Sequence, residues 1–213
     1  MKWEEYISEI ELIEKQNNDE YDLYTVVANV LKERKLFKTI SLRCVGHRRR
    51  TQEAKEKVLW AIRGFSDFVI LDKQYEPVEK STDKSMIYGT VEAKAVGLPI
   101  LESNDDRLQL VGHLLWFDKV IYTNGFEWRF YRNMWNVSID EVNEKQAISY
   151  DKYCKKPKNV EEDREIDEYL GKFDVSKLPC DSFILCKNAN GRREWDNREW
   201  KKLIKYLNNY CFS

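Results

Sequence analysis

The chain has 213 residues, 42% of them hydrophobic and 13% aromatic, with 8 Gly and 4 Pro, which excludes a low-complexity or disordered protein and supplies enough apolar side chain for a core. Its net charge of −1 hides a split: residues 1–30 carry eight acids against two bases, and residues 31–60 carry ten bases against three acids. No run of eighteen apolar residues occurs and the charged N-terminus has no apolar stretch, so no membrane contact is expected and a cytoplasmic protein is the expectation.

The five cysteines are odd in number and widely spaced, with no C-x-x-C pair, and His47 and His113 stand apart from them. A zinc site or disulfide framework is not expected, and reduced thiols are. No G-x-x-x-x-G-K-[ST] is present, so no phosphate-cradling loop of a nucleotide-driven motor is encoded.

In chain order, the first clear element is a helix beginning near Glu20, where Leu23, Val26, Val27, Val30 and Leu31 share one face. β-branched "TISLRCV" predicts a strand over Thr39–Val45. The basic "HRRR" that follows, with Arg48, Arg49 and Arg50, reads either as a solvated loop offsetting the acidic N-terminus or as a grip on phosphates. "SDFVILDK" and "SMIYGTVEAKAVG" are the second and third strands. Ser103 or Asn104 caps a helix in which Leu108, Val111, Leu115 and Trp116 recur at helical spacing. Two strands then flank the turn at Asn124–Gly125. Beyond Asn136 the pattern weakens: a helix in "NVEEDREIDEYLGKF", a strand in "DSFILCKN" and a terminal amphipathic helix in "REWKKLIKYLNNY". Trp60, Trp116, Trp128 and Trp135 fit core and hairpin packing better than a base-stacking platform.

Two charges interrupt the third strand. Glu92 and Lys94 are two residues apart, so on a strand they share a face, roughly 7 Å apart, while Val91 and Ala93 face the other way. Burying such charges is costly without partners. Asp67, at the start of the second strand, reaches them if the two strands form an antiparallel pair. Two carboxylates and a nearby backbone carbonyl make a hard-oxygen site suited to Mg²⁺ or Mn²⁺, with the lysine left to act on an incoming anion.

"SDFVIL" followed by "YGTVEAK", with Gln109 in "LQLVGHL" and the hairpin "TNGFEWRFY", resembles the PD-(D/E)XK nuclease superfamily. The likeness is greatest to the N-terminal nuclease domain of type I restriction enzyme R subunits and its stand-alone relatives, and it covers roughly residues 18 to 150. The resemblance implies an α/β (α+β) fold with a restriction-endonuclease-like αβββαβ core, its mixed central sheet flanked by helices. It also implies Mg²⁺-dependent hydrolysis of DNA. Asp67 and Glu92 would bind metal, Lys94 would position water or stabilise the transition state, and Gln109 would orient the lysine or substrate. Glu20 is the best-placed counterpart of the glutamate that the family carries on its first helix. Ser66 stands where the family has the proline of its name, and His113 where relatives carry an aromatic residue.

Arg48, Arg49, Arg50 and His113 are the candidate DNA contacts, although His113 also fits a hydrogen-bonded structural role. The expected organisation is a nuclease-like domain over residues 1–150 and a small α/β extension over 151–213 packed on it. That extension is a candidate surface for a homodimer or another protein. The competing reading is a catalytically silent module of the same fold that binds nucleic acid or a protein.

Overall fold

The computed structural model describes residues 1–34, 38–46, 54–77, 83–155, 160–189 and 192–210. Among these lie six α-helices: α1 (Trp3–Gln16), α2 (Glu20–Lys32), α3 (Asn104–Phe117), α4 (Ile139–Lys155), α5 (Val160–Leu170) and α6 (Asn197–Asn209). The strands are β1 (Ile40–Cys44), β2 (Phe68–Asp72), β3 (Ile87–Ala93), β4 (Lys119–Thr123), β5 (Glu127–Arg132), β6 (Cys180–Ile184), β7 (Cys186–Ala189) and β8 (Arg192–Trp195). The first six form one mixed sheet in the order β1-β2-β3-β4-β5-β6, and β7 with β8 forms a separate hairpin. Every pair in the large sheet is antiparallel except β3–β4. That parallel pair needs a crossover, which α3 supplies.

Alternation along the strands builds two cores. Phe68 and Ile70 of β2, with Val91 and Ala93 of β3, pack under α1, α2 and α6. Val69 and Leu71, one residue out of phase, pack under α3, α4 and α5. Each fully buried Leu, Ile or Phe contributes on the order of 2 kcal/mol of transfer free energy, so both faces of the sheet hold helices firmly. With Val91 and Ala93 turned to the α2 side, the residues between and after them, Glu92 and Lys94, are left to the α3 side.

The helix near Glu20, the three strands after it, the Ser103-capped helix and the Asn124–Gly125 hairpin all stand where the residue pattern predicts them. Ser103 accepts from the Asp106 N–H at 3.0 Å, and Asn124 Oδ1 accepts from the N–H groups of Phe126 and Glu127.

Three features depart from the residue pattern. In α1, Tyr6, Ile10 and Ile13 are buried at helical spacing, but the glutamates around them mask that stripe. In α4 the inward face is partly polar: Gln146 is fully buried and its amide donates to the carbonyls of Lys57 and Trp60. The expected strand "DSFILCKN" is two strands in different sheets. The chain turns at buried Leu185, where the N–H groups of Leu185 and Cys186 both donate to the Phe126 carbonyl. β6 thereby completes the large sheet, while α6 seats Trp200, Leu203 and Leu207 in the same core as Tyr6 and Ile10.

No helix among the described residues is long and apolar enough to cross a membrane.

Candidate functional site

Acidic side chains gather at the end of the sheet where β2 begins, β3 ends, and α2 and α3 start. Asp67 directly precedes β2 and is 6% exposed. Its Oδ2 accepts from the backbone N–H of Ala93 at 2.7 Å, the residue between Glu92 and Lys94. Its Oδ1 accepts from the Tyr24 hydroxyl. The Asp67 carbonyl takes the N–H groups of Val45 and Gly46, which ties the turn before β2 to the end of β1. Ser66, beside it, is buried and donates to the Phe68 carbonyl.

Glu92 is 3% exposed on the α3 side of β3, level with Tyr122 of the parallel strand β4. Its Oε2 has no hydrogen-bond partner among the described residues. Burial, then the charge of Asp67, pushes its carboxyl well above the usual carboxylate range. Burial likewise raises Asp67, to about 7, against the opposing hydrogen bonds from Ala93 and Tyr24. Glu20, the first residue of α2, is half-buried, accepts from the Tyr24 hydroxyl at 3.3 Å, and is also raised, chiefly by burial.

Lys94 follows β3 directly. Its N–H donates to the Thr123 carbonyl and continues the β3–β4 ladder. Its Nζ lies 3.0 Å from Asp106 Oδ1 in the first turn of α3. Burial alone would depress this ammonium, but the Asp106 hydrogen bond and the charges of Glu92, Asp106 and Glu20 outweigh it and leave the pKa raised.

Asp106, Gln109 and His113 occupy one face of α3 at i, i+3 and i+7. Gln109 is half-buried, and its side chain makes no hydrogen bond to another described residue. His113 is fully buried, with Nδ1 3.6 Å from Glu92 Oε2, beyond hydrogen-bond geometry. Burial pushes the imidazole down to about 3, only partly offset by the Gly64 carbonyl near the ring. The expectation that His113 meets a substrate phosphate is therefore corrected. A ring with no exposed surface lies beneath Glu92 and is neutral at pH 7. Arg48, Arg49 and Arg50 lie outside the described residues.

Tyr24, Asp106 and Tyr122 join the site although the motifs do not point to them. Tyr24 is four residues after Glu20, hence on its face of α2, and Asp106 shares the face of Gln109; both spacings are readable in the sequence. Tyr122 sits inside an apolar strand and gives no such signal, yet its buried hydroxyl has no hydrogen-bond partner among the described residues.

Several observations bear on a divalent cation. Burial raises Glu20, Asp67 and Glu92, their mutual repulsion adds to it, and the charge of Lys94 opposes it. The unpartnered oxygen of Glu92 gives such an ion a ligand. Among the described residues, however, no three His, Cys, Asp or Glu side chains are gathered closely enough to hold a metal. The set that fits is Asp67 and Glu92 with backbone oxygen and water, the ligation Mg²⁺ accepts because it keeps several waters.

No protein-family model matches the chain, and no curated protein or solved structure matches it.

Proposed function

We propose that this protein is a Mg²⁺- or Mn²⁺-dependent nuclease of PD-(D/E)XK type that hydrolyses DNA phosphodiester bonds on a restriction-endonuclease-like core. The observation that carries the proposal is the hydrogen bond from Ala93 to Asp67. It joins the isolated acid to the middle of the Glu92-x-Lys94 segment, across a strand pair whose sequence separation is 26 residues. The order α2-β1-β2-β3-α3-β4 around that contact supports the same reading.

Hydrolysis adds water across a P–O bond: the water oxygen bonds phosphorus, its proton leaves, and the departing oxygen takes one up. Asp67 and Glu92 would hold the ion, which when bound would supply Lewis-acid polarisation of the phosphate and acidify a bound water. Lys94, held as an ammonium by Asp106 and its neighbours, suits charge stabilisation and water orientation and not proton abstraction. Gln109 supplies an uncharged donor and acceptor on the same helical face, and Glu20 a third carboxylate at the rim. His113 lies 3.6 Å from Glu92 Oε2 without a hydrogen bond to it.

The test is plasmid cleavage with Mg²⁺ or Mn²⁺, comparing wild type with Lys94→Ala. Cleavage by wild type that falls by orders of magnitude in the variant is expected; equal cleavage by both sinks the assignment.

The contact between Tyr24 and Asp67 favours a second reading, because a phenol already satisfies one oxygen of the key acid. A module that keeps these acids but binds nucleic acid or protein without turnover is recognised by two results together: no heat of Mg²⁺ or Mn²⁺ binding, and no cleavage.

A further inference from the structure

Every exposed side chain of α6 is Arg198, Lys201, Lys202, Lys205 or an asparagine. The face carries no exposed acid and no exposed apolar residue. Two of its cations are paired, Lys202 with Glu199 at 2.6 Å and Arg198 more loosely with the capping Asp196 at 3.8 Å. Lys201 and Lys205 form no ion pair with another described residue, and neither does Arg192 at the start of β8.

The hairpin β7–β8 packs on Phe126, in the turn between β4 and β5. Gly97, three residues past Lys94, has positive φ, and a Cβ there would lie 2.9 Å from the Phe126 ring. The guanidinium of Arg193 sits 5.3 Å over the same ring, and Trp195 meets it edge-on at 5.5 Å. The hairpin is thus seated where the Glu92-x-Lys94 segment leaves the sheet. A groove of about 650 Å³ between β6, the hairpin and the first turn of α6 is lined by Glu194, Asp196 and Glu199 as well as by Lys187 and Arg198, so it is not itself part of the cationic surface. Lys187 faces Glu194 across the hairpin, so it offers less net charge than Arg192, Lys201 and Lys205.

We propose that Arg192 of β8 and the exposed face of α6, on the side of the sheet opposite α3, form a cationic track that holds the phosphate backbone of a DNA duplex. The specification of DNA rests on the nuclease reading; the match to a polyanion rests on the surface itself. Protein interfaces centre on apolar or aromatic anchors, and the exposed face of α6 has none. A uniform row of cations and amides suits a repeating phosphate instead. Arg198 to Lys205 spans roughly 10 Å along the helix, the axial length of about three phosphates on one strand. The C-terminal segment would then supply affinity without reading sequence, since phosphate contacts position a duplex and base contacts specify it.

The experiment measures binding of a short fluorescent DNA duplex by anisotropy, in EDTA so that no cleavage occurs, from about 50 to about 200 mM salt. Neutralising two phosphate contacts in Lys201→Ala/Lys205→Ala is expected to weaken binding on the order of tenfold or more at low salt. It should also make the slope of log K against log salt shallower by about two. Lys201→Arg/Lys205→Arg should restore both. A wild type that does not bind DNA, or an alanine pair with unchanged affinity and slope, overturns the track. Either result leaves the nuclease to be decided separately, by plasmid cleavage. Conversely, track-dependent binding by a protein that never cleaves removes the nuclease and keeps the track. A change of the same size in binding to an acidic polypeptide, with DNA unaffected, overturns the choice of occupant.

Discussion

Lys94 Nζ and Asp106 Oδ1 are 3.0 Å apart, each side chain about one-fifth exposed, and the pair links the end of β3 to the first turn of α3. Asp106→Asn keeps the shape and the helix start but removes the ion-pair partner that holds the lysine side chain in place. The expected result is a fall in kcat/KM for DNA cleavage of roughly ten- to a hundredfold, because a displaced lysine stabilises less transition-state charge. Stability should fall by only about 1 kcal/mol, since the pair is partly solvated. Asp106→Glu should recover part of the rate. Cleavage unaffected in Asp106→Asn, at unchanged Tm, removes the positioning role.

Tyr24→Phe separates the active from the silent reading. The Tyr24 hydrogen bond favours the ionised form of Asp67, whose pKa already stands at about 7 because of burial. Without the donor that pKa rises further, so the native state keeps its proton to higher pH. A metal ligand must be deprotonated to bind. Mn²⁺ affinity should therefore climb as pH rises through 7 in wild type, and its midpoint should move up by as much as about one unit in Tyr24→Phe. Calorimetry at several pH values gives both midpoints. Identical midpoints mean that Asp67 is not a ligand.

Burial of the imidazole gives His113→Phe a pH signature. The native pKa, about 3, is below the ordinary value near 6.5. Between these limits the unfolded chain binds a proton that the native state does not, so this residue costs stability progressively as pH falls from 6.5 toward 3. Asp67 has the opposite sign: its raised pKa means that the native state gains a proton first, and stability from that group grows as pH falls from about 7 toward 4. Replacing His113 removes the destabilising contribution and leaves the other. Thermal melts should show a flatter acid limb in His113→Phe than in wild type, with little difference above pH 7. Parallel limbs would falsify the assignment of a buried, neutral histidine.

The parts of the fold visible in the sequence are those whose burial follows one simple period. The 3.6-residue stripe of α2, the β-branched runs of β1 and β2 and the Asn124–Gly125 turn each encode their structure locally. Helices α1 and α4 are obscured because their inward faces are short or include polar groups such as Gln146, whose NH2 donates to carbonyls 86 and 89 residues away. The site shows the same division. Charges inside an apolar strand mark Glu92 and Lys94, and the start of β2 marks Asp67. Tyr24 and Asp106 look like ordinary helix residues until strand pairing brings β2 beside β3 and the crossover places α3 above them. His113 misleads because sequence reports its position on a helical face but not that the face is sealed.

Gly112 tests whether α3 is held close for the sake of that seal. An alanine in a helix interior is ordinarily favoured over glycine by about 1 kcal/mol, so propensity alone predicts that Gly112→Ala stabilises the protein. A Cβ at this position, however, would lie 2.8 Å from Arg63 Cβ and 3.0 Å from the Arg63 backbone nitrogen. Arg63 has little room to retreat. It is bound through its guanidinium to Asp105 and Asp167, and it sits in the turn closed by the Ala61–Gly64 bridge. The helix must shift instead, carrying His113 away from Glu92 and Asp106 away from Lys94. Overpacking of this kind costs about 1–3 kcal/mol, which exceeds the propensity gain. The expected outcome is a lower Tm together with reduced cleavage. A Tm above that of wild type would mean that the approach of α3 to Arg63 is not what holds this face of the site in place.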